Sequence, residues 1–177
     1  MSWPLALIGP QDPTLTDAAL LAAGKALYLS NCFEASCHYV LRAYRLLSYI
    51  DAHREGDWSD AMVAISKKRL LNAAIEELAT FPVVSAEDVT ILQKARAARN
   101  HLAHEGAFPG FIWCAKTHHI ERHLEALRTT VTDLSKGNHL VSGWCYEFDE
   151  KRPVGSVMAQ FPALAERWIF GADSGCA

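Results

Sequence analysis

The segment "SAEDVTILQKARAARNHLAHEG", Ser85 to Gly106, carries a complete helix in one pass. "SAED" has the form of a capping box, in which a serine hydroxyl and an acid three positions later satisfy each other's backbone N–H groups. Ile91, Ala95, Ala98 and Leu102 then recur at helical spacing as the expected core stripe. Gly106 is the expected stop, because glycine alone takes the left-handed conformation that commonly ends a helix without penalty.

Working outward, the same periodicity returns on both sides. Leu20, Ala23, Leu27, Phe33, Cys37, Val40, Leu41, Tyr44 and Leu47 predict one long helix, or two in line, from Leu15 to about His53, with Thr14 or Thr16 as its cap. "REGDWSD" is a polar break. A second helix is expected through Met62, Ile65, Leu70, Ile75 and Leu78 until "FPVV", where Pro82 cannot continue an interior helix. A fourth is expected from Ile112 to about Lys136. Beyond Gly137 the pattern weakens: "WCYEFDE" alternates as a strand or an irregular extension does, and "PALAERWIF" reads as a short helix with Pro162 at its first position. The expected fold is all-α, an up-down bundle of about four main helices over residues 1–136, with a C-terminal extension, 137–177, packed on it.

Composition narrows the function. The 177 residues suit one core, and a net charge of -3 with half the residues hydrophobic describes an ordinary folded chain with no general attraction for polyanions. The five cysteines are scattered, odd in number and never arranged as CxxC, which points to reduced thiols. "MSWPLALIG" lacks the basic start and long apolar run of an export signal, so a cytoplasmic chain with no membrane insertion is expected.

Charge is nevertheless gathered locally. Residues 91–128 hold six Lys or Arg (Lys94, Arg96, Arg99, Lys116, Arg122, Arg128) against Glu105, Glu121 and Glu125, and five of the eight histidines. Within this window an arginine is followed five positions later by a histidine twice, as Arg96 with His101 and Arg99 with His104, where about half a pair is expected by chance at one spacing. Only Arg99 is followed directly by a polar residue, Asn100. His104 falls in the last turn before Gly106, at the negative end of the helix dipole.

"RNHLAH", Arg99 to His104, resembles the signature of the HEPN family, helical domains marked by an arginine, a polar residue and a histidine a few positions on. The resemblance implies a homodimer in which two motifs face a shared cleft. In many members it implies a metal-independent endoribonuclease, often a toxin or phage-defence factor, for which a cognate antitoxin or inhibitor protein is an expected partner. Other members are non-catalytic modules that bind a nucleotide or a protein. On this reading Arg99 and His104 are catalytic, Asn100 supports them, Arg96 and His101 contact RNA, and no cofactor or metal is needed.

The chemistry stands apart from the name. RNA supplies its own nucleophile, the ribose 2′-hydroxyl, and needs only a base, an acid and positive charge around the phosphorane. On an ideal helix Arg99 and His104 point roughly 140° apart, while Arg96, Asn100 and His104 share the polar side and place Asn100 to orient His104. The bland alternative is a surface pair of Arg99 with an acid on another helix and a His104 that merely faces water. Glu34, Arg42 and Arg45 of the first helix are within reach of such a site, with ordinary surface pairing as their default. His119 and His123 have a zinc-compatible spacing without a third ligand, so a solvated basic face is the better reading. Cys32 and Cys37 read as buried structural thiols, "KKR" at Lys67 to Arg69 as a solvated face, and the aromatic residues Trp144, Tyr146, Phe148, Trp168 and Phe170 as cover for the core.

Overall fold

The computed structural model describes residues 11–52, 70–106, 116–151 and 159–171, together with residues 59, 62, 63 and 65. Its named helices are α1 (Pro13–Ala52), α2 (Leu71–Leu78), α3 (Ala86–His104), α4 (Thr117–Glu150) and α5 (Phe161–Phe170). The chain is all-α, and the helices pack as a bundle.

Side-chain pairs give the directions. Ala19 clusters with Ile120, and Tyr39 donates to Asp149, so α1 and α4 run parallel. Arg99 reaches Glu34 while Asp88 lies near Tyr44, so α3 runs against α1. His139 stacks with Phe161 and Arg128 meets Glu166, so α5 runs against α4. These four helices thus alternate α1 up, α3 down, α4 up, α5 down. The shared core between them includes Phe33, Val40, Ile75, Leu78, Leu92, Val131, Leu134 and Val141, all fully buried.

α1 is one unbroken helix of 40 residues. Its cap is Asp12 rather than Thr14 or Thr16: the Asp12 carboxylate accepts the Leu15 N–H at 2.9 Å, and Pro13 occupies the first helical position, where its missing N–H costs nothing. The buried stripe in its first half also differs from expectation. Ala19, Ala22, Ala26 and Leu29 are inside, whereas Leu20 and Leu27 are exposed. "AALLAAGKALYL" is apolar nearly all round, so periodicity alone does not choose a face there, and the alanines permit closer helix packing.

The second expected helix does not run through Leu70, whose extended backbone (φ -63°, ψ 148°) starts α2 afresh at Leu71. Lys67 to Arg69 lie outside the described residues. α3 has the expected boundaries and a full capping box: Ser85 Oγ accepts from Asp88 N–H, and the Asp88 carboxylate accepts from Ser85 N–H. Its buried stripe is Leu92, Ala95, Ala98 and Leu102, with Ile91 only partly covered.

The main correction concerns α4. It continues through Gly137 to Glu150, so "WCYEFDE" is helical rather than strand or irregular. Val141, Trp144, Cys145 and Phe148 follow one another at helical spacing and pack on the core, which is the tertiary signal that outweighs local alternation. Gly137 marks a close approach instead of an end: a Cβ there would lie 2.3 Å from Ala95 Cβ and 3.1 Å from Phe33 Cε2, so α1, α3 and α4 meet where one of them has no side chain. α5 begins at Phe161, placing Pro162 second rather than first. No described helix is long and apolar enough to cross a membrane.

Candidate functional site

The C-terminal half of α3 presents the expected motif residues in two different directions. Arg99 turns toward α1, where its Nε and Nη2 donate to Glu34 Oε2 at 2.9 and 2.5 Å. Its Nη1 donates to Asn100 Oδ1 at a longer 3.3 Å. Glu34 in turn faces His38, one turn along α1, with Oε1 3.8 Å from His38 Nε2. The Arg99 and Glu34 side chains are 25% and 29% exposed, so the pair is partly shielded but open on one side. His104 is exposed in the last turn of α3.

Arg99, Asn100 and Glu34 are therefore brought together, and His104 is not brought to them within one chain. Asn100 accepts from Arg99 through its Oδ1 rather than orienting His104. Arg96 donates through Nε to Gln93 Oε1 at 2.8 Å, one turn back on its own helix. His101 Nδ1 lies 3.3 Å from Glu105 Oε2. Glu34, one of the first-helix residues expected within reach of the site, is the acid that pairs with Arg99, whereas His38 carried no such expectation. The signal was present, since Glu34 and His38 stand at i and i+4 beside the buried α1 stripe and share one edge of it.

The end of α3 is held tightly. The N–H groups of Glu105 and Gly106 both donate to the His101 carbonyl, at 2.7 and 2.9 Å. Gly106 ends the helix without the expected left-handed conformation: it is buried, and a Cβ on it would stand 2.7 Å from the backbone of Leu102, so the turn closes against its own helix only with glycine there. Against this turn packs His123 of α4. Burial holds its imidazole below the ordinary histidine range, and the neighbouring His101 adds to the shift, while a bond with the Gly106 backbone opposes it. His119, one turn earlier, is lowered by its partial loss of water and by the charges of His118, Arg122 and Lys116. Neighbouring positive groups at this corner thus oppose protonation of His119 and His123, while Glu105 offsets the charge at His101.

The other candidates take ordinary places. Arg45 forks onto Glu77 with two 2.6 Å bonds, away from Arg99. Arg42 donates to the His38 carbonyl at 3.2 Å. Cys37 is fully buried, and burial pushes its thiol far above the usual range; Cys32 and Cys145 are partly covered, while Cys114 and Cys176 lie outside the described residues. Trp144, Phe148 and Phe170 pack against the core, whereas Trp168 remains 47% exposed. Among the described residues no group of three or more His, Cys, Asp or Glu side chains is placed to hold a metal ion. Compared with protein-family models, with curated proteins and with solved structures, the chain matches none of them.

Proposed function

We propose that this chain is a metal-independent endoribonuclease of the HEPN type, working as a homodimer whose two copies of Arg99 and His104 face one phosphodiester. The observation that carries the reading is the way Glu34 holds Arg99. Two nitrogens of the guanidinium are engaged by the carboxylate, and Nη1, which gives one N–H to Asn100, carries a second N–H on the turns of α3 that also bear His104. A guanidinium fixed in this way loses little freedom when a phosphate oxygen arrives.

One imidazole cannot be base and acid in the same step, so the reaction needs two. One His104 takes the proton of the ribose 2′-hydroxyl as its oxygen attacks phosphorus; the second copy's His104 gives a proton to the leaving 5′-oxygen. Arg99 from each copy donates to the non-bridging oxygens as charge gathers on the phosphorane. The products are a 2′,3′-cyclic phosphate and a 5′-hydroxyl. One feature of α1 supports pairing of the chains. Leu20 and Leu27 are 38% and 42% exposed, and with Glu34 they recur every seven residues along one stripe of α1, an apolar seam leading to the motif. A role as a toxin or phage-defence factor in the cytoplasm, restrained by an inhibitor protein, belongs to the same proposal.

A second reading is a non-catalytic module that binds a nucleotide or a protein partner. It is favoured by the same Glu34 contact, since an arginine neutralised within its own chain has a sufficient structural role. Incubation with RNA and with DNA of the same sequence in excess EDTA separates the two. The ribonuclease reading expects cleavage of RNA alone, ending in 2′,3′-cyclic phosphate, and its loss in His104→Ala. An RNA left intact across varied substrates, or an unchanged rate in His104→Ala, refutes it.

A further inference from the structure

At the opposite end of α3, a cavity of about 270 Å³ opens between α1, α4 and the turn before α3, lined among the described residues by Tyr44, Val83, Trp144, Glu147 and Phe148. Sixteen residues of α3, or about 24 Å of helix, separate Asp88 near this cavity from His104. It is a different place from the arginine and histidine motif, and its chemistry is different.

Three of the five lining side chains are aromatic, and two of them, Tyr44 and Phe148, meet as a corner of the cavity wall. The Tyr44 ring stacks on Phe81 with centroids 4.7 Å apart, and it meets Phe148 edge-on at 4.8 Å with the planes 78° apart. Two walls therefore stand nearly perpendicular. Trp144 lies one helical turn before Phe148 on the same face of α4, and Glu147 lies between them, exposed at the rim. Both charged groups that act on the Tyr44 hydroxyl are carboxylates. The Tyr44 hydroxyl is held above its ordinary range first by burial and then by the charges of Glu147 and Asp88, and no Lys or Arg is among the described lining residues.

Aromatic faces attract a cation through their quadrupoles, and a methylated ammonium, which has little hydrogen bonding to lose, gains most from such walls. A carboxylate at the rim adds attraction without closing the cavity. The volume lies just below the usual range of pockets for drug-sized ligands, about 300–1,000 Å³, and suits a compact head group. We propose that the cage of Tyr44, Trp144, Phe148 and Glu147 binds a trimethylammonium group.

Isothermal titration of the full chain with choline tests this, beside 3,3-dimethyl-1-butanol, which has the same shape without the charge. Saturable binding of choline, with the neutral isostere at least about tenfold weaker, is expected. Glu147→Gln, at an exposed position, should weaken choline about three- to fivefold, and Trp144→Leu, which keeps apolar cover but removes the ring, should abolish binding while thermal unfolding checks that the fold survives. A trimethyllysine peptide beside its unmethylated form identifies the source of the group: equal affinity for choline and the peptide supports a free small molecule, and much tighter peptide binding supports a protein-borne one. If neither choline nor the peptide saturates, or if the neutral isostere binds as well as choline, the proposal is overturned.

Discussion

Replacement of Gly137 by alanine sets two physical effects against each other and lets the fold decide. In the interior of a helix, alanine is favoured over glycine by about 0.8–1.0 kcal/mol, and burying one more methyl group adds about 0.8 kcal/mol. Taken alone, these terms predict a stabilised protein. The new Cβ, however, would stand 2.3 Å from Ala95 Cβ and 3.1 Å from Phe33 Cε2. Carbon atoms pack best at about 3.5–4.0 Å, so α3 and α4 must part by more than about 1 Å. The Ala95 methyl is fixed to its backbone and has no rotamer by which to move aside. Overpacking of this kind costs about 1–3 kcal/mol net, and a loss near 2 kcal/mol corresponds to roughly 4–8 °C in Tm for a chain of this length. Urea unfolding followed by circular dichroism at 222 nm measures it. The decisive comparison adds Ala95→Gly, which removes the opposing methyl. Alone that change destabilises, but in the Gly137→Ala background it relieves the clash, and the cycle should show favourable coupling of about 1 kcal/mol or more. A more stable Gly137→Ala variant, or strict additivity in the cycle, refutes the close approach of α3 and α4.

Two further outcomes follow from the same structure. Ser85→Ala removes both bonds of the Ser85 hydroxyl at the start of α3 and should cost about 1 kcal/mol, read as a fall of roughly 2–4 °C in Tm. Stability should also depend on pH through His119 and His123. Both have folded-state pKa values below the unfolded histidine value of 6.5, so the unfolded chain binds more protons as pH falls below 6.5, and their contribution, present above that value, is lost on acidification. His123→Gln should flatten the decline between pH 7.5 and 5.5 in urea midpoints, and an unchanged slope would show that burial against the Gly106 turn does not depress its titration.

The parts of the fold that could be read from the sequence were those where a local chemical signal and a tertiary one agree. α3 is the clearest case, because Ser85 and Asp88 set its start, Gly106 sets its stop, and alanines at 95 and 98 keep its buried edge narrow. α4 shows the opposite. Gly137 reads locally as a stop and "WCYEFDE" reads as alternation, yet the helix runs on because Trp144, Cys145 and Phe148 bury against α1. In the first half of α1 the apolar residues surround the helix, and only the neighbours choose Ala22 and Ala26 over Leu20 and Leu27 as the inner face. At the site, spacing along one helix could place Arg99 and His104 on different faces and leave Glu34 within reach, but it could not single Glu34 out as the acid that meets Arg99. Glu34 lies 65 positions away, a separation that no local pattern spans.

The claim on which the functional account rests is a cleft shared by two chains. Wild-type protein mixed with increasing His104→Ala protein, after exchange of subunits, tests it through the rate of RNA cleavage in EDTA. If each phosphodiester needs an imidazole from both chains, mixed dimers are inactive, and an equal mixture retains about a quarter of the rate given by the same total amount of wild type. Retention of about half, the linear result for chains that act alone, contradicts the account.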